Sequence, residues 1–155
     1  MKSIAFATRA ILGLGLILFC SFINAEQKQS FGNYDIHYSA VNTGFLQPDI
    51  AKRYGIVRSK KKAFVNIAVR RKNNDDKNAK NGTKAVPAVL SGSTANLLGQ
   101  TQQLEFQEIR EANAIYYIAT FPILDQEWLK FNIDVQPNRD KKPFHVFFKQ
   151  QFYKD

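Results

Sequence analysis

Along several short stretches of this chain apolar and polar residues alternate one by one, and that period of two constrains the fold most. Tyr34, Ile36, Tyr38 and Ala40 alternate with Asp35, His37 and Ser39; Ala63, Val65, Ile67 and Val69 repeat the pattern, and Leu129, Phe131, Ile133 and Val135 keep it strictly. Successive side chains of a strand point to opposite faces, so each stretch has one buried and one wet face. Ala114 to Phe121 is apolar on both faces and belongs inside a sheet. Val86 to Leu98 is a weaker strand with Pro87 near its start, where a missing donor is tolerated. Leu104 and Phe106 open another strand after the turn at Leu98-Gly99-Gln100, and Phe144, Val146, Phe148 and Phe152 close the chain. About seven strands at this spacing predict an all-β, immunoglobulin-like sandwich of antiparallel strands. A small β-barrel is the alternative, because alternation alone does not separate the two. Pro48 to Gly55 has Pro at a helix start, Gly past its end, and Ile50 and Tyr54 four apart. It predicts one short helix covering an end of the sandwich.

The first 25 residues stand apart from this pattern. Lys2 and Arg9 form a positive stretch without acids, Ala10 to Phe22 is an apolar run of 13 residues, and Ile23-Asn24-Ala25 ends on a small residue. That is the plan of a signal peptide (residues 1–25), and the apolar run is too short for a comfortable membrane span. Cys20 follows the bulky Phe19, whereas lipid attachment needs a small residue there. Cleavage before Glu26 leaves one domain, residues 26–155, with no cysteine and no further segment long enough to span a bilayer. The expected destination is the periplasm, or outside the cell. In that oxidising compartment the core alone must hold the fold, since one Cys excludes both a disulfide framework and a Cys-based zinc site.

The charge is unevenly placed. The signal segment takes two of the 22 basic residues, and ten of the remaining 20 fall between Arg58 and Lys84, where only Asp75 and Asp76 oppose them. Lys60, Lys61 and Lys62 precede one predicted strand, while Arg70, Arg71 and Lys72 end it. Lys77, Lys80 and Lys84 continue into residues 72–84, which lack large apolar side chains and carry an Asn81-Gly82 turn signal. This segment reads as a mobile hairpin loop. The strand is roughly 25–30 Å long, so the two clusters lie at opposite ends of it. These nine residues form a candidate anion-binding patch whose partner is an anionic envelope component or an acidic exported protein. The other reading is a solubilising loop that guards a strand edge. Nucleic acid is not an expected partner outside the cytoplasm.

No catalytic arrangement emerges. Asp35, His37 and Ser39 share one strand face with neighbours about 6.5–7 Å apart, so they stand in parallel where a nucleophilic triad must converge. His37 and His145, the only two histidines, could join Asp35 around zinc or copper only if the first and last strands were neighbours. Each sits among polar positions that suit a solvated imidazole, and no metal, cofactor or catalytic residue is assigned. Glu105, Glu108, Glu111, Asp125 and Glu127 fall in turns or on wet faces, with no sign of the cleft that paired-carboxylate chemistry needs. Phe147 and Tyr153 share the wet face of the last strand with His145, Lys149 and Gln151, where exposed aromatics can mark a recognition surface.

The stretch Phe31-Gly32-Asn33-Tyr34-Asp35-Ile36-His37-Tyr38, continued by Phe45-Leu46-Gln47-Pro48-Asp49-Ile50-Ala51 and Tyr54-Gly55-Ile56, resembles a family of small exported proteobacterial proteins known only as a domain of unknown function. Asn96-Leu97-Leu98-Gly99-Gln100, Ala114-Ile115-Tyr116-Tyr117 and Gln151-Phe152-Tyr153 are similar to its other recurring segments. The resemblance implies an exported single domain and carries over no ligand or catalytic residue. The basic loop matches it least. The function expected from all this is that of a non-catalytic periplasmic binding or accessory module. The alternatives are an assembly component that pairs through an edge strand and a metal-dependent hydrolase.

Overall fold

A computed structural model describes residues 27–72 and 82–154. The strands are β1 (Gln27–Phe31), β2 (Tyr34–Asn42), β3 (Lys62–Lys72), β4 (Thr83–Ala85), β5 (Val89–Asn96), β6 (Thr101–Gln103), β7 (Gln107–Glu111), β8 (Ala114–Pro122), β9 (Glu127–Gln136) and β10 (Phe144–Phe152). A 3-10 turn (Thr43–Phe45) and helix α1 (Pro48–Arg53) join β2 to β3. The first sheet has the order β1-β2-β3-β8-β7, with β4 beside the far end of β3; the second is β10-β9-β5-β6. All pairs are antiparallel. Strands β2-β3-β8-β7 facing β10-β9-β5 have the A-B-E-D and G-F-C order of an immunoglobulin sandwich. The barrel alternative falls, because the two sheets do not close on one another.

The described residues hold ten strands where about seven were expected, and the extra ones lack an alternating pattern. Strand β1 is mostly polar on both faces and is held by its neighbours, with Phe31 stacked on Phe144 at 5.0 Å between ring centres. Strand β4 has three residues at a sheet edge. Leu104 and Phe106, expected to open one strand, instead form the crossing between β6 in the second sheet and β7 in the first. Both are at least partly buried in the core there. A strand that changes sheets keeps its apolar residues inward but divides its backbone hydrogen bonds between two ladders.

The core fills the space between the sheets. Phe131 is fully buried, stacked on Phe148 at 4.4 Å and met edge-on by Phe121 at 5.4 Å. Gly92 permits the close approach of β5 to β9: a Cβ there would lie 2.7 Å from the Asn132 carbonyl oxygen. Helix α1 ends where expected, at Gly55 with φ +66°. It does not cover an end of the sandwich. Ala51 is buried, and the Tyr54 hydroxyl at the end of α1 donates to the Glu111 carboxylate on β7, so α1 lies along the outer face of the first sheet. The outer-face residues Phe64 and Ile109 are buried too, apart from the main core. Asp35 also departs from the alternation reading: it points away from the core as expected, yet is only 4% exposed.

Candidate functional site

Strand β3 spans about 33 Å, and the predicted cations fall at its two ends. At the C-terminal end side chains alternate between faces. Arg70 and Lys72 point to the outer face of the first sheet, where Asp35 lies opposite Arg70. The Ser30 hydroxyl donates to Asp35 at 2.6 Å, and the Lys28 and Lys72 ammonium groups each stand 3.4 Å from its carboxylate. The Ser30 hydrogen bond above all holds the Asp35 carboxyl below its ordinary pKa; Lys72 and Lys28 add to that, against the opposing effect of burial. Arg70 donates from Nε to the Thr83 hydroxyl at 2.8 Å and from Nη2 to the Thr83 carbonyl at 3.0 Å. Both outer-face cations are therefore occupied within the fold. Arg71 and Lys84 are in register on the other face and exposed. Lys77 and Lys80 lie outside the described residues.

The N-terminal end of β3 is different. Lys60, Lys61 and Lys62 are all exposed and make no ion pair among the described residues. Their backbone is what the fold uses: the buried Thr43 hydroxyl lies 3.2 Å from the carbonyls of Ser59 and Lys62, and Ile123 N donates to the Lys61 carbonyl at 3.0 Å. The ammonium groups stay in water. Six of the ten exposed large apolar side chains among the described residues share this end. Phe45 follows β2; Leu97 and Leu98 form the tip of the β5–β6 hairpin; Leu124 sits in the β8–β9 turn; Trp128 lies near the start of β9, and Tyr153 directly follows β10. Leu98 is 86% exposed and Phe45 69%. Leaving a side chain of this size in water forgoes about 1.5–3 kcal/mol of burial. The apolar residues of this cluster come from four separate segments, and in the sequence its signs are a pair of leucines placed between turn residues and the exposed Tyr153.

The remaining candidate residues of the sequence are dispersed over the described part of the sandwich. A groove of about 540 Å³ on the outer face of the first sheet is lined by His37, Ser39, Asn66, Arg70 and Tyr116, among others, with no carboxylate among its described lining residues. The Asn66 Oδ1 there is buried without a hydrogen-bond partner. Asp35 is engaged by Ser30, Lys28 and Lys72. His145 lies on the outer face of the second sheet, with Nδ1 2.9 Å from Asp134, so the two histidines occupy opposite sides of the sandwich. Glu108 is paired with Arg110 at 2.5 Å and accepts from Tyr117; Glu127 accepts from Leu124 N and Asp125 from Lys154 N. The free edge of β10 is tied to the first sheet by Gln29 Nε2 donating to the Phe147 carbonyl at 2.8 Å and Asn42 Nδ2 to the Tyr153 carbonyl at 2.5 Å. Those bonds occupy part of the edge that strand addition would use.

Comparison with known proteins places this geometry in a family. The DUF4426 domain of unknown function matches residues 28–155, and the chain belongs to that family. A crystallised DUF4426 protein from Pseudomonas aeruginosa is 34% identical, with a TM-score of 0.70, over 86% of this chain and 99% of that one. FetP from uropathogenic Escherichia coli, expressed in the periplasm, is 14% identical, with a TM-score of 0.59, over 82% of this chain and 93% of that one. A copper-bound FetP variant is 15% identical, with a TM-score of 0.57, over 83% and 95%. At these identities the FetP structures share the fold and show nothing further. No curated protein matches the chain.

Proposed function

We propose that this DUF4426 domain is a non-catalytic binding or accessory module of the bacterial envelope, exported with loss of residues 1–25, and that it engages an anionic envelope component through the Lys60–Lys62 end. One observation carries the reading: three exposed lysines, without an ion pair among the described residues, stand beside the exposed apolar tips. The signal-like N-terminus and the likeness to FetP support a periplasmic setting. No helix among the described residues is long and apolar enough to cross a membrane. One FetP variant is copper-bound. Among the described residues no three His, Cys, Asp or Glu side chains cluster, and the histidines face apart.

The test is co-sedimentation of residues 26–155, which contain the whole sandwich, with phosphatidylglycerol-containing vesicles at low and high salt. A lysine near an anionic surface contributes about 1 kcal/mol, so Lys60→Ser/Lys61→Ser/Lys62→Ser is expected to weaken low-salt binding by about a hundredfold. Arg71→Ser/Lys84→Ser, at the other end, is expected to bind as the unaltered chain does. No low-salt binding, or equal binding by the triple variant, would overturn the proposal.

A further inference from the structure

Resting on that reading, we infer that the same end is a membrane-docking surface: Phe45, Leu97, Leu98 and Leu124 enter the headgroup region of an anionic bilayer while Lys60, Lys61 and Lys62 contact its phosphates. Scattered exposed apolar side chains are ordinary on a protein surface, but six of ten gathered at one end of a sandwich are not. The four deepest candidates are 61–86% exposed and sit in loops, where side chains can enter a soft surface without disturbing a sheet.

Several backbone N–H groups at these tips are satisfied within the protein. The hydrocarbon below the headgroups supplies no hydrogen-bond partners, so donors already paired approach it at lower cost. Leu98 N donates to Asn96 Oδ1 at 3.1 Å, Gly99 N to the Asn96 carbonyl at 3.1 Å and Leu124 N to Glu127 Oε2 at 2.9 Å. Leu46 N, next to Phe45, donates to the Thr43 carbonyl at 3.3 Å. Among the described residues Asp125 and Glu127 lie in or beside the β8–β9 turn, and each accepts from a backbone N–H, which satisfies part of their charge inside the protein. Trp128 and Tyr153 stand just behind the tips, 43% and 48% exposed; amphipathic rings of this kind favour the boundary between headgroups and acyl chains. The adjoining lysines complement lipid phosphate and would repel a basic partner.

The chain has a single Trp, so Trp128 reports the docking directly. Residues 26–155 are mixed with phosphatidylglycerol vesicles carrying lipids brominated on the acyl chain near the headgroup. Emission is expected to move to shorter wavelength and to be quenched by bromine, and part of the bound protein is expected to resist release by high salt. Leu97→Ser/Leu98→Ser is expected to lose the salt-resistant fraction and at least tenfold in affinity, with its melting temperature unchanged because both side chains are exposed. Phe147→Ser, on the second-sheet face away from the tips, is expected to behave as the unaltered chain. Salt-reversible binding with unshifted, unquenched Trp128, identical in the double Leu variant, would overturn this inference and leave the proposed electrostatic function standing. Absence of vesicle binding at low salt would overturn both.

Discussion

The two ends of strand β3 carry similar runs of cations and use them in opposite ways. At the Arg70–Lys72 end, the side chains facing outward are bound into the fold: Lys72 joins Lys28 and Ser30 around the buried Asp35, and Arg70 clamps Thr83. At the Lys60–Lys62 end, the contacts among the described residues use the backbone, and the exposed lysine side chains lie beside the Phe45 and Leu124 turns. A count of lysines and arginines treats the ends alike. The difference lies in partners: a cation opposite a buried carboxylate stabilises the fold, whereas one beside turn backbone stays available to bind something else.

That contrast can be broken most forcefully at Asp35. Asp35→Ala leaves Ser30, Lys28 and Lys72 without their shared acceptor, and the expected loss of stability is about 1–3 kcal/mol, measured by urea denaturation. Vesicle binding by the folded variant is expected to stay unchanged. Equal stability would mean that the Arg70–Lys72 end is not structural.

A second test uses pH. The Asp35 carboxyl has a folded pKa below its unfolded value of about 4. Its contribution is therefore fully present above about pH 4 and is lost as pH falls through the lower, folded value. Urea midpoints of the unaltered chain and Asp35→Asn are expected to differ at neutral pH and to converge in acid. A constant difference down to the most acidic conditions would remove the carboxylate charge from the account of this end.

The smallest effect sharpens the comparison from the other side. Lys60→Ser/Lys61→Ser/Lys62→Ser removes exposed side chains that make no ion pair among the described residues, and its unfolding free energy is expected to stay within about 0.5 kcal/mol of the unaltered chain. A larger loss would show that these lysines serve folding as well.

Much of the fold was legible because the buried faces of β2, β3, β9 and β10 repeat every second residue, and Pro48 and Gly55 bracket α1. Strands β1 and β4 were not, since their own side chains carry no apolar period and partners in the sheet hold them. The split between β6 and β7 was hidden for a related reason: Leu104 and Phe106 look alike in sequence whether a strand continues or changes sheets. For the site, strand length alone put the two cation clusters at opposite ends. Which cluster is consumed depends on register, which sets Asp35 against Arg70 and Lys72 against Thr83. The apolar tips escaped notice because Phe45, Leu97, Leu98 and Leu124 are brought together only by topology.

Hydrogen–deuterium exchange of residues 26–155, with and without phosphatidylglycerol vesicles, tests the assignment of the two ends most directly. Protection is expected in peptides covering Thr43–Phe45, Ser59–Lys62, Asn96–Gln100 and Ile123–Trp128, with none added at Arg70–Lys72 or Thr83–Ala85. Vesicle-induced protection at Arg70–Lys72 and Thr83–Ala85, with the Lys60–Lys62 end unchanged, would contradict that assignment.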